Sequence, residues 1–410
     1  MLQKMATTGV GLENVYDQTL RRIREQRSDR SRLGMEVLMW VSHSKRPLRI
    51  DEFYHALAIE MGTSNLDHEN IPPQDTVLGS CLGLVTVDKE TSTFRLVHYT
   101  LQEYLSLPGI LPNAHKTLAQ SCLTYLNYEQ VKRLPANQIS AVGNLPFLEY
   151  SSLYWGNHAK MELSDHATAL ALELLNRYGD HISATLLCDQ IQISHPDPLS
   201  HLDLFSYHLF PGLHCASYLG IDELVVPLIR MEGCDINQAD CMGFTPLMWA
   251  SLQGNEKAVN LLLNWGNASP NIPGNRGRTP LHLASGEGHE GVVKLLLSRY
   301  YYDTPDLQDS YGQTPLCNAS RNGHAKVVKL LLAKNGISPD QPNNDGRTPL
   351  WWASSNGHEG VVRLLLARDG VNPNLTDSHG QTPLAAASMR GHMDIVALLQ
   401  PRTTAVSGID

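Results

Sequence analysis

The chain has 410 residues, of which 42% are hydrophobic and 18% charged, with a formal net charge of −9. That length holds two or three folded domains, and an acidic balance argues against nucleic-acid or anionic-membrane partners. Seven scattered cysteines show no zinc or disulfide spacing, and the sequence has neither a signal-like start nor 18 consecutive apolar residues, so the expectation is a reducing, intracellular setting, cytoplasmic or nuclear.

In chain order, 13–27 reads as an exposed amphipathic helix with Val15, Leu20 and Ile23 on its apolar side and Arg21, Arg22, Arg24 and Arg27 on its wet side. A second helix follows over 31–44, with Leu33, Val37, Leu38 and Val41 as core. Asp51 is the expected cap of a third, which carries Phe53, Leu57 and Ile59. Pro72 and Pro73 open a fourth through Leu78 and Cys81. Residues 84–87 and 94–97 flank a polar turn and read as a hairpin, and 100–107 closes with a helix. Three helices and a hairpin in this order make a winged-helix unit. Its candidate recognition helix, 74–82, holds no Lys or Arg, so direct nucleic-acid binding is not expected.

Leu96-Val97-His98-Tyr99-Thr100-Leu101-Gln102-Glu103-Tyr104-Leu105, with Leu12-Glu13-Asn14-Val15-Tyr16 and Lys45-Arg46-Pro47-Leu48, resembles the region after the nucleotide-binding domain of fungal NACHT–ankyrin signal-transduction proteins. In that family a winged-helix His within Met-His-Asp senses nucleotide phosphate. The resemblance puts His98 at that position, between Val97 and Tyr99. The 410 residues contain no Gly-x-x-x-x-Gly-Lys-Ser/Thr and no Gly-Lys pair, so this chain is not expected to bind or hydrolyse ATP or GTP by itself. His98 reads first as a structural histidine.

Residues 115–205 read as a helical spacer with helices near 118–126, 148–158 and 167–178. Tyr150, Tyr154, Trp155 and His158 share one helical face, the pattern of a core. Pro196, Pro198 and Pro211 mark the junction that follows.

From residue 243 one phrase returns five times. Thr245, Thr279, Thr314, Thr348 and Thr382 each precede Pro-Leu, at intervals of 34, 35, 34 and 34. Thr caps a helix and Pro suits its first position. Ala250, Ala284, Ala319, Ala353 and Ala387 follow, then helix-ending Gly254, Gly288, Gly323, Gly357 and Gly391. His289, His324, His358 and His392 come next, then an apolar run at helical spacing and a polar turn.

The repeat resembles the ankyrin repeat, whose Thr-Pro-Leu-His-x-Ala phrase is complete at 279–284; Met248, Cys317, Trp351 and Ala385 replace the His elsewhere. Gly212-Leu213-His214-Cys215-Ala216 begins a weaker first copy, in which Pro227 falls where the second helix should run. The expected fold is mainly α: an ankyrin-repeat α-solenoid with short β-hairpins over 209–400, preceded by a linker helix (1–28), a winged-helix unit (29–110) and a helical spacer (111–208), with a tail at 401–410.

The resemblance implies a non-enzymatic interaction scaffold that needs no cofactor, metal or small-molecule substrate. Its alternatives are a nucleotide-switch fragment acting with a NACHT domain in trans, and a nuclear transcription co-regulator. The concave face of such a solenoid would offer a protein partner Met242, Phe244, Leu252 and Gln253; Arg276, Arg278 and Glu287; Tyr311, Gln313, Arg321 and Asn322; Asp345, Arg347, Ser355 and Asn356; and His379, Gln381, Met389 and Arg390.

Overall fold

The computed structural model describes residues 9–136, 143–194, 210–299 and 305–403. They form two compact units, residues 1–212 and 213–410. The Pro196 and Pro198 junction lies outside the described residues.

The first unit opens with α1 (Gly9–Arg24) and α2 (Ser28–His43). Tyr16, Leu20 and Ile23 of α1 are buried, as are Val37, Leu38 and Trp40 of α2. The next helix, α3 (Ile50–Leu57), is capped at Arg49 and not at Asp51, which stays exposed. The carboxylate of Glu52 explains the shift. It accepts from the Arg49 backbone N–H at 2.8 Å and from both terminal nitrogens of Arg46 at 2.7 Å. A buried carboxylate needs such partners, and here three donors meet it. After α4 (Gln74–Ser80), strands β1 (Val85–Asp88) and β2 (Thr93–Leu96) pair antiparallel with Val85 opposite Leu96. An isolated bridge joins Arg49 to Thr93 beside them. Helix α5 (Tyr99–Leu105) ends this winged-helix arrangement.

Helices α6 (Ala114–Leu126), α7 (Glu129–Lys132), α8 (Leu148–Ala159), α9 (Asp165–Asn176) and α10 (Ile182–Ser194) complete the unit. The winged helix and these helices share one core. Trp40 meets Phe147 edge-on at 5.4 Å and Tyr150 at 6.1 Å, and Phe147 stacks on Tyr150. Trp155 and His158 are buried too, while Tyr154 is half-buried. His158 donates or accepts with the Tyr150 hydroxyl at 3.0 Å and with His115 at 2.9 Å, which orders a chain of polar groups through the core.

The second unit is a stack of helix pairs: α11 (Gly212–Leu219) with α12 (Asp222–Ile229), α13 (Pro246–Leu252) with α14 (Glu256–Trp265), α15 (Pro280–Glu287) with α16 (Glu290–Leu297), α17 (Pro315–Arg321) with α18 (Ala325–Leu332), α19 (Pro349–Ser355) with α20 (Glu359–Leu366), and α21 (Pro383–Met389) with α22 (Met393–Thr403). The hydroxyls of Thr245, Thr314, Thr348 and Thr382 accept from the amides of Met248, Cys317, Trp351 and Ala385, as helix caps do. Helix α12 runs through Pro227 instead of breaking there. The lost backbone donor falls opposite Glu223, at the exposed start of that helix.

Histidines tie each pair to the one before. Nε2 of His289, His324, His358 and His392 bonds the carbonyls of Leu252, Gly286, Arg321 and Ser355 at 2.8–3.1 Å. Asn255 fills the same place in the first full repeat and bonds the carbonyls of Ser217 and Tyr218. Gly254, Gly288, Gly323 and Gly357, with φ between +70° and +80°, lie against these rings, and Gly220 (φ +68°) lies against the Asn255 amide. The links between repeats close as tight turns, and among the described residues the only sheet is β1–β2.

Candidate protein-interaction face

Each link is built around one side chain. Asp240 Oδ1 accepts from the amides of Met242 and Phe244, Asp309 Oδ1 from Tyr311 and Gln313, Asn343 Oδ1 from Asp345 and Arg347, and Asp377 Oδ1 from His379 and Gln381, all at 2.9–3.0 Å. In the second full repeat Gly274 takes that place, and Arg276 adopts a left-handed backbone, φ +62°. The tips are also bonded to each other. The carbonyls of Arg276, Tyr311 and Asp345 accept from the amides of Ser310, Asn344 and Ser378 at 2.8–2.9 Å, and Asn275 Nδ2 donates to Met242. A row of tips held at fixed intervals is a rigid platform for side chains.

Along this row the structure corrects five sequence expectations. Met242, Phe244 and Leu252 are buried and present no apolar surface to a partner. Phe244 stacks on the buried Trp249 at 4.8 Å, and Trp249 donates its indole N–H to Asp240 Oδ2 at 2.6 Å. Burial pushes the Asp240 carboxyl up to about 6. Gln313 and Ser355 are buried as well, and their carbonyls accept from His282 and His392. The remaining candidates reach solvent. Glu287, Tyr311, Arg321, Asn322, Asp345, His379, Met389 and Arg390 are exposed, and Gln253, Arg276, Arg278, Arg347, Asn356 and Gln381 are half-buried.

Cations dominate what is left. Arg278 and Arg347 are braced from below, with Nε 3.5 Å from Asp309 and Asp377 of the following repeats. Arg276 lies over the Tyr311 ring at 5.8 Å. Arg321 lies over Trp352 at 5.0 Å, and Arg347 over Trp351 at 4.5 Å and Trp352 at 5.3 Å; the two indoles meet edge-on. Guanidinium–indole stacking fixes a long side chain before a partner arrives. Among the described residues, Arg321 and Arg390 have no carboxylate within 4.0 Å; Arg390 reaches Asn356 Oδ1, and Asn356 in turn donates to the Arg321 carbonyl. Sequence reading missed Trp352 as part of the face. The signal was present: Arg321 ends one first helix, and Trp352 stands on the matching helix of the next repeat.

His98 sits elsewhere, in the first unit. Its Nδ1 accepts from the Thr100 amide at 3.2 Å and bonds the Thr100 hydroxyl at 2.7 Å, so the exposed ring caps α5. Among the described residues no group of His, Cys, Asp or Glu is arranged to hold a metal. No described helix is long and apolar enough to cross a membrane.

Comparison with known families agrees with these geometries. Residues 213–306 and 302–377 match the model for ankyrin repeats in three copies, and residues 379–402 match the single ankyrin repeat. Residues 23–111 match the winged helix domain of GPI inositol-deacylase. No curated protein matches the chain. The chain thus joins a winged-helix domain of the GPI inositol-deacylase type to a C-terminal array of ankyrin repeats.

Proposed function

We propose that the chain is a non-enzymatic scaffold that holds a protein partner on the concave face of its ankyrin repeats, with the Arg321–Trp352–Arg347 cluster as anchor. The observation that carries this reading is the stacking itself. Two guanidiniums are held over indole rings beside a row of mutually bonded turns. Arg and Trp dominate binding hot spots. Arg278 and Arg347 are matched by Asp309 and Asp377, which leaves Arg276, Arg321 and Arg390 against Glu287 and Asp345, a positive excess in a chain of net charge −9, so the partner presents an acidic segment.

Descent from a NACHT-type signalling receptor is a further part of the proposal, and it rests on the motif resemblance of residues 96–105 and 45–48. In that reading the winged-helix unit is a retained receptor part, and His98 acts as a cap and not as a nucleotide sensor. Helix α4 carries no Lys or Arg, which speaks against DNA as a direct ligand.

The test is affinity capture on immobilised full-length chain at low and high salt, followed by titration of the recovered partner. Arg321→Ala should weaken binding by about 2 kcal/mol, roughly 30-fold, and raised salt should weaken it further. A partner whose affinity ignores both changes would move the site off this face.

A further inference from the structure

We infer that a groove in the first unit, between α2, the segment after α3 and the start of α6, binds an amphipathic peptide segment that places one Lys or Arg against Glu36. This site is separate from the concave ankyrin face and does not depend on it.

The groove encloses about 760 Å³. Its walls are Leu33, Met35 and Met39 of α2, Leu57, Ile59 and Met61 beyond α3, and Leu111 before α6. Most of these large side chains are half-buried, and Met61 is 43% exposed. Methionines reshape themselves around a guest, as adaptable binding surfaces require. The α2 wall runs from Asp29 to Met39. At 1.5 Å per residue that is about 15 Å, the length of a peptide segment and longer than a small amine needs.

Glu36 makes the groove selective. It stands in the α2 wall among apolar neighbours and forms no ion pair among the described residues; Arg32, one helical turn away, acts on it only at longer range. Loss of solvent raises its carboxyl to about 7. A carboxylate in apolar surroundings is costly until a cation meets it. Asp29 and Glu60 add negative charge at the rim, against Arg32 alone. Apolar walls with one unmet carboxylate fit a helix or extended segment whose apolar side chains flank a single cation.

The probe is a fluorescein-labelled amphipathic helix of Leu, Ala and Gln with one Lys inside its apolar face, titrated against the full chain by anisotropy. A second peptide replaces that Lys by Gln. Saturable binding is expected, with the Lys peptide about tenfold tighter, and Glu36→Gln should erase that preference. Ile59→Arg, at a half-buried position in the groove wall, should place a tethered cation in the groove and abolish binding of both peptides. Circular dichroism melts of both variants verify the fold. Three results would overturn the inference: no saturable binding, a Lys preference that survives Glu36→Gln, or binding that ignores Ile59→Arg.

Discussion

The ring of His358 lies where a side chain on Gly323 would have to be. A Cβ built on Gly323 would come within 2.6 Å of His358 Nδ1, and Gly323 has φ +79°. The same juxtaposition recurs at Gly254 with His289, Gly288 with His324 and Gly357 with His392. One glycine therefore ends its own helix and leaves room for the histidine that ties on the next repeat.

Gly323→Ala should cost about 1–2 kcal/mol for the left-handed backbone and about 1–3 more for the overlap. Gly323→Val should cost more than Ala. His358→Ala alone loses the bond to the Arg321 carbonyl, about 1 kcal/mol. Since His358→Ala removes the atom that clashes, the double variant should lose less than the sum of the singles. Urea unfolding of the four proteins measures the coupling, and strict additivity would mean that ring and glycine do not share the space.

Much of the solenoid was legible in the sequence because Thr-Pro, Gly and His each do one local job at one repeated position. What escaped was of two kinds. Asn255 does the histidine's work with a different residue type, and so breaks the pattern by eye while keeping it in hydrogen bonds. Burial at the tips was misjudged where a residue's fate depends on another repeat position: Trp249 draws Phe244 inward, whereas Tyr311, two repeats later, stays 46% exposed. The Glu52 cap was missed for a related reason: it depends on a tertiary partner, Arg46, that spacing does not reveal.

Acid should destabilise the protein as the pH falls below about 6.5, because its buried histidines resist protonation. Burial lowers His158 to about 3 and His181, His214 and His282 to about 4. These rings stay neutral in the fold and protonate near 6.5 in the unfolded chain. Their contribution is complete above pH 6.5 and is lost as pH falls from there towards 4, at about 1.4 kcal/mol per histidine per pH unit. Thermal melts at pH 7.5, 6.0 and 5.0 should show the fall, and His282→Asn should make it shallower. Equal melting temperatures across that range would refute the neutral, buried assignment.

His98→Ala should lower stability by about 1 kcal/mol, since it removes the cap of α5. It should leave nucleotide behaviour unchanged, because calorimetry is expected to detect no ATP or GTP binding to either protein. Heat of binding that disappears in the variant would restore the sensor role to His98.

The repeats should fold without the first unit. Residues 206–410 expressed alone should give a helical circular dichroism spectrum and a cooperative melt, since each repeat pairs with its neighbours. An aggregating, non-cooperative product would mean that the preceding helices act as an obligatory cap.

Two sets of substitutions decide whether a partner docks on the concave row of tips. Arg278, Tyr311, Arg321 and Arg347 would be changed to Ala together, and compared with Lys294→Ala, Lys329→Ala and Arg363→Ala on the outer helices. Binding of the captured partner to both proteins would be measured by calorimetry, with melts as a check on folding. The first set should lose the partner while the second binds as the unchanged chain does. Retained binding in the first set with loss in the second would contradict concave docking and place the site on the convex side.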